Sequence, residues 1–127
     1  MNQSAETIKT WVNIISDDYM HYTQEQKDYV CNLASMFDFE ILPGDRGVIG
    51  WTIMLDFDCK KKLVVVLLYC KPEFRGMSFI PMIKRLEEIA KENNAVEIDI
   101  GNSIGVRDYA NILGRFGYKQ GGFSKEL

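Results

Sequence analysis

The run LLYCKPEFRGMSFIPMIKRL, which begins at Leu67, passes from a solid apolar segment through a Pro and an Arg-Gly pair into an amphipathic stretch. A buried strand that ends there and feeds a helix presents unpaired backbone N–H groups at the positive end of the helix dipole. Such a helix start is a place for an anion. Glycine suits it because a backbone without Cβ can approach a phosphate closely. Gly76 is available, but Ser78 and Ile80 stand where further glycines would help most, and Pro81 has no N–H to donate. No GKS or GKT follows, so a nucleotide P-loop is not supported.

A second group with chemical potential is VEIDI, where Glu97 and Asp99 stand two apart and, on a strand, share one face. A carboxylate of raised pKa could take a proton from an amine; the plainer reading is a solvated strand face. Glu73 is a base in principle and a turn residue on the simpler reading. His21 reads as a residue of a loop or helix border, and Cys70 as a small buried filler. Cys31, Cys59 and Cys70 are odd in number and widely spaced, with no CxxC, so neither a disulfide framework nor a zinc site is indicated. No metal ligand set is expected.

Several elements must position these groups. Ser4 caps a first helix in which Ile8, Trp11, Val12 and Ile15 recur at helical spacing. SDDYMHYT reads as a loop. Thr23 to Gln26 then forms a capping box for a second helix whose buried stripe is Tyr29, Val30, Leu33, Ala34, Met36 and Phe37. PGDRG separates a short strand, FEIL, from VIGWTIMLDF, which pairs across the polar CKKK turn with Leu63 to Tyr69. That last run is apolar at consecutive positions, which predicts a central strand buried on both faces. The helix after PEFRG turns Met82, Ile83, Leu86, Ile89 and Ala90 to the core, and VEIDI follows as a strand through a right-handed crossover. A helix over about 106–116 with Tyr109, Ile112, Leu113 and Phe116 as its stripe stops at Gly117, and Gly121-Gly122 suits a terminal hairpin.

The 127 residues fit one domain, with 46% hydrophobic and 26% charged residues, as in ordinary globular chains. A net charge of −3 argues against general affinity for nucleic acid. The basic block Lys60, Lys61 and Lys62 reads as a solvated strand end. LVVVLLYC is too short to cross a bilayer and the N-terminus lacks a signal-peptide pattern, so no membrane partner and a cytoplasmic location are expected.

The apolar strand followed by Pro72, Glu73, Phe74, Arg75 and Gly76 and an amphipathic helix resembles the central signature of the GNAT superfamily of acyl-CoA-dependent N-acyltransferases. FGY at Phe116 to Tyr118 is similar to that family's closing stop, and the order of elements agrees; a clear first strand at the N-terminus is missing. Among GNAT proteins the chain looks most like the small bacteriophage-encoded ones, which would place it in a host cytoplasm. The fold so implied is α/β (α+β), a central mixed, mostly antiparallel sheet flanked by helices in a single domain.

The resemblance implies acetyl-CoA as cofactor. Backbone groups around Leu68, Tyr69 and Cys70 would pair with its pantetheine arm, and Arg75, Gly76, Met77, Ser78, Phe79 and Ile80 would face its pyrophosphate. It implies transfer of the acetyl group to a primary amine of a small molecule, or to a protein lysine or N-terminus, and it leaves room for a homodimer. Glu97 and Asp99 are the candidate bases. The tyrosine that the family often uses to protonate the departing thiolate is Leu113 here; Tyr109, one turn earlier, is the substitute, with core packing as its plainer role. The alternative is a non-catalytic GNAT-like protein that binds a host or structural partner.

Overall fold

The structure, a computed structural model, describes residues 4–100, 113–118 and 124–127. The chain divides into two compact units, Met1–Glu40 and Ile41–Leu127.

In the first unit, α1 (Ala5–Ile15) starts where Ser4 Oγ accepts the Thr7 N–H at 3.2 Å, and it buries Ile8, Trp11, Val12 and Ile15 as their spacing predicts. The expected loop is in part a widened helical turn, Ser16–Met20. It ends at His21 in the left-handed region (φ 49°), and Ser16 Oγ accepts the Tyr22 N–H at 2.8 Å. Then α2 (Gln24–Ala34) opens with the predicted capping box: Thr23 Oγ1 accepts from Gln26 N–H, and Gln26 Oε1 from Thr23 N–H.

The buried stripe expected on α2 is not there. No residue of α2 is buried, Tyr29 is 67% exposed, and Met36, 76% exposed, lies beyond the helix end together with Phe37. Apolar spacing marks the face a helix can bury. Burial also needs a covering layer, and the period alone does not supply one.

In the second unit, a turn at Pro43–Asp45, with Gly44 at φ 72°, leads into β2 (Gly47–Leu55), which pairs antiparallel with β3 (Lys61–Cys70). The turn between them is closed by Asp56 Oδ1, which accepts the N–H groups of Asp58 and Lys60. A 3-10 turn, Pro72–Phe74, runs directly into α3 (Arg75–Glu92), and β4 (Glu97–Asp99) returns parallel to β3. At the C-terminus β5 (Ser124–Glu126) pairs antiparallel with β4. With β1 (Asp38–Ile41) the sheet order is β1-β2-β3-β4-β5, a mixed and mostly antiparallel sheet within an α+β fold of three described helices.

The β2–β3 register shifts between Gly50 and Trp51: Gly50 faces Leu67 while Trp51 faces Val65, so Val66 is an extra residue on β3. This bulge changes which residues face α3. Leu63 and Val65 point into the core before it and Leu68 and Cys70 after it, all in one cluster with Met82, Ile83 and Leu86 of α3. The carboxyl half of β3 is buried on both faces, as its apolar run predicts, whereas its amino half alternates. Fully burying aliphatic side chains such as Leu63, Leu86 and Ile98 contributes about 1.5–3 kcal/mol each, which fixes α3 over this strand.

Gly117, at φ 90°, ends the described turn Gly114–Phe116 in the left-handed conformation expected of a helix stop. Tyr109, most of the predicted 106–116 helix and the Gly121-Gly122 turn lie outside the described residues. No helix among the described residues is long and apolar enough to cross a membrane.

Candidate functional site

The carboxyl end of β3 and the start of α3 meet at Pro72–Phe74, and their backbone groups define the site. An α-helix leaves its first four N–H groups without an intrahelical acceptor; here these belong to Phe74, Arg75, Gly76 and Met77. Phe74 donates to Lys71 O at 2.9 Å and Arg75 to Pro72 O, because the 3-10 turn continues the spiral backwards. The amides of Gly76 and Met77 stand in the first turn, at the positive end of an 18-residue helix. Ser78, Phe79 and Ile80 stand one turn further in, where N–H groups bond to carbonyls of the preceding turn.

Side chains around this point are occupied in holding it. Arg75 Nε donates to Cys70 O at 3.1 Å and its guanidinium lies 5.8 Å from the Tyr69 ring centroid, so Arg75 clasps the helix start to the strand end. Cys70 is buried, and its thiol donates to Arg46 O at 3.4 Å. Ser78 and Phe79 are buried, with Phe79 edge-on to Phe116 at 5.4 Å, while Met77 and Ile80 are exposed.

Gly76 differs from all of these, for a Cβ built on it meets nothing within 4 Å among the described residues. Among the described residues neither packing nor backbone conformation demands glycine there, and that space adjoins the first turn of α3.

On the strand, β3 and β4 pair only from Lys62 with Glu97 to Val64 with Asp99. The printed pairing with β4 ends at Val64, and no described strand lies beside Leu68 and Cys70 on that side. The bulge at Val66 sits just where the two strands part.

Glu97 and Asp99 do share a face, as their spacing predicts, and that face holds Lys62. Lys62 Nζ is 3.0 Å from Glu97 Oε2 and 4.0 Å from Asp99 Oδ2. The hydrogen bond and charge of Glu97, with Asp99 and Asp56 adding, raise the Lys62 pKa above its ordinary value. Lys62 is therefore not simply a solvated strand-end lysine, whereas Lys60 and Lys61 are exposed. By register Asp99 lies opposite Val64, four residues short of Leu68, or roughly 13 Å along the strand at about 3.3 Å per residue. The structure thus places Leu68 and Cys70 at the end of β3 that leads into Gly76 and Met77, and both carboxylates toward its other end.

Leu113 is fully buried, and Tyr118 is buried with a hydroxyl that has no hydrogen-bond partner among the described residues. Burial, with the Glu87 charge adding, raises the Tyr118 pKa far above its ordinary value. Lys125 Nζ lies 5.6 Å from that ring and 3.6 Å from Glu87 Oε2.

Sequence reasoning missed Arg46 and Gly47. The Lys71 N–H donates to Arg46 O at 2.8 Å, and the Arg46 guanidinium sits 5.2 Å from the Phe74 ring centroid. A Cβ on Gly47 would strike the Tyr69 carbonyl oxygen and fall 2.8 Å from Cys70 Cα, so this glycine lets the Pro43–Asp45 turn lie against the end of β3. The motif PGDRG signals a turn; its docking on a strand more than twenty residues later has no local signature.

No protein-family model and no curated protein match the sequence. Solved structures do. A GNAT-family acetyltransferase from Staphylococcus aureus matches at 14% identity and TM-score 0.67, covering 100% of this chain and 97% of that one. A predicted acetyltransferase from Clostridium acetobutylicum, solved with acetyl-CoA, matches at 16% identity and TM-score 0.67 over 94% of this chain and 88% of that one. A transcriptional regulator from Bacillus halodurans matches at 13% identity and TM-score 0.69 over 95% and 92%. At such identities the likeness is one of fold, and the fold of this chain is that of the GNAT acetyltransferases.

Proposed function

We propose that the protein is an acetyl-CoA-dependent N-acetyltransferase acting on a primary amine of a small molecule or protein. The observation behind this reading is the meeting of a strand end at Leu68 and Cys70, with no described strand beside it, and a helix start whose Gly76 has no described atom near its Cβ position. A phosphate fits that space, with the Gly76 and Met77 amides as donors, and an extended chain continuing from it runs along the edge beside Cys70 and Leu68. Of the residues singled out in the sequence, Gly76 and Met77 contribute backbone donors, and Leu68, Tyr69 and Cys70 contribute the edge. Arg75 holds the two together, and Ser78, Phe79 and Ile80 build the first turns behind them.

Acetyl-CoA, when bound, supplies an activated thioester. The amine nitrogen attacks its carbonyl carbon, the C–N bond forms, the C–S bond breaks, and the amine proton leaves to solvent or a base. Backbone N–H groups on the β3 edge near Leu68 stabilise the developing oxyanion, since fixed donors aimed at new charge lower the barrier without reorganisation. Asp99 is the nearer of the two candidate carboxylates, and its distance calls for relay through water. Leu113, apolar and buried where the family's acid would stand, donates no proton, so the thiolate leaves without that help and turnover is slow.

That same leucine favours the second reading, a GNAT-like protein that binds the cofactor or a protein partner without chemistry. The narrower placement beside bacteriophage-encoded GNAT proteins rests on sequence alone.

The test is release of free CoA from acetyl-CoA with polyamines, amino sugars and lysine peptides as acceptors, alongside calorimetric binding of acetyl-CoA. Amine-dependent release, slowed in Asp99→Asn or Glu97→Gln, is the expected result. Cofactor binding with no amine-dependent release from any acceptor, a cell lysate included, would leave the binding-protein reading in its place.

A further inference from the structure

Two flanks of α3 differ near its start. Gly76, Ile80 and Glu87 lie along one side, and Lys125 of β5 reaches Glu87, so this flank faces the β4–β5 side of the sheet. Met77, Ser78 and Pro81 lie along the other. There, with Leu42 to Gly44 and Arg46, they enclose a cavity of about 340 Å3, near the lower end of the roughly 300–1,000 Å3 usual for ligand pockets.

The cavity has three chemical features. Its walls are mainly apolar, from Leu42, Pro43, Met77 and Pro81. It has an acceptor to spare, because residue 81 is a proline inside the helix and the Met77 carbonyl, four residues earlier, loses the N–H it would accept from. It also has a positioned cation. Arg46 is anchored through its carbonyl by Lys71 N–H and the Cys70 thiol, its side chain stacks on Phe74, and no described carboxylate pairs with it. A flat, largely apolar group with an amino donor and an attached phosphate matches all three.

Met77 connects the two sides, for it stands in the first turn of α3 and also lines the cavity. We propose that the cavity takes the adenosine end of CoA, with Arg46 reading the ribose 3′-phosphate through its guanidinium fork and the Met77 carbonyl accepting from the base. This inference rests on the function proposed above. Arg46 is then a specificity residue that distinguishes CoA from dephospho-CoA, which lacks that phosphate and is otherwise the same molecule. Guanidinium suits the role because its planar donors meet a phosphate two at a time, which an ammonium cannot do.

Calorimetry of CoA and dephospho-CoA against the native protein, Arg46→Gln and Arg46→Lys tests this. The native protein should prefer CoA by about tenfold, the scale of one charge-assisted contact at an exposed site. Arg46→Gln should lose that preference by weakening CoA alone, and Arg46→Lys should keep part of it. Arg46 is exposed, so unchanged melting temperatures are expected to accompany these shifts. Equal affinity of the native protein for the two ligands, or equal weakening of both in Arg46→Gln, would overturn the inference while leaving the proposed function standing. Failure of either ligand to bind the native protein would overturn both.

Discussion

The two halves of β3 are one strand with two occupations. Its amino half is paired on both sides, to β2 and β4, and is closed at the rim by Lys62 between Glu97 and Asp99. Its carboxyl half pairs with β2, has no described strand beside Leu68 and Cys70 on the other side, and ends against the start of α3. The glycines mark the same division. Gly47 is glycine because the protein's own backbone fills the space where a Cβ would go, whereas Gly76 is glycine with no described atom near its Cβ position. A residue whose smallness serves no packing of its own points to a ligand, and a residue whose smallness is filled points to architecture.

Adding a methyl group at each glycine is the most severe way to break that comparison. Gly47→Ala drives a Cβ into the Tyr69 carbonyl and should cost about 3 kcal/mol or more, read as a large fall in the urea midpoint. Gly76→Ala should do the reverse, gaining up to about 1 kcal/mol as alanine replaces glycine in a helix. If both variants destabilised alike, the two glycines would have the same role and the distinction would fail.

Tyr118 sharpens the picture from the architectural side. Its buried hydroxyl has no partner among the described residues, so Tyr118→Phe should be neutral or stabilising by up to about 1 kcal/mol near neutral pH. Its folded pKa is raised, so native tyrosine holds its proton where unfolded tyrosine begins to lose it. The associated stability is fully present below pH 10.0, the ordinary value, and is lost as pH rises beyond it. Tyr118→Phe should therefore flatten the alkaline decline in melting temperature; an unchanged alkaline limb would contradict the burial.

The smallest effect belongs to Lys62. Its pKa is also raised, so the contribution of its pairs is complete below the ordinary 10.5 and disappears above it. The group is partly exposed, and Lys62→Ala should cost under about 1 kcal/mol, read by thermal melting, with cofactor affinity unchanged. A loss of affinity would place Lys62 in the site and blur the two halves.

The sequence made some of this legible. Strong periodicity at Ile8, Trp11, Val12 and Ile15, and again along Met82 to Ala90, predicts helices that the structure contains, and Thr23 with Gln26 predicts its own cap. What escaped depends on partners distant in the chain. The bulge at Val66 is silent because the run around it is apolar at every position, so a change of face leaves no trace in composition. Lys62 looks solvated until the β3–β4 register brings Glu97 opposite it. Tyr29 and Met36 look buried until the layer that would cover them is sought. At the site, PEFRG located the meeting of strand and helix; that Pro72–Phe74 spirals into α3, and so consumes the Phe74 and Arg75 amides, is a matter of backbone geometry that residue types do not encode.

Gly76→Asp separates stability from binding more sharply than any other change. A carboxylate in the first turn of a helix meets the positive end of the dipole and should hold or raise the melting temperature, by about 0.3–1 kcal/mol. The same carboxylate occupies the space beside the first-turn amides and repels a phosphate. The decisive measurement is acetyl-CoA affinity by calorimetry in the native protein and in Gly76→Asp, with thermal melting of both alone. The account predicts binding by the native protein, a loss of at least about a hundredfold in the variant, the scale of roughly 2.7 kcal/mol, and a melting temperature that does not fall. Unchanged affinity in a folded variant would show that the phosphate does not sit at the start of α3 and would contradict the assignment of the site.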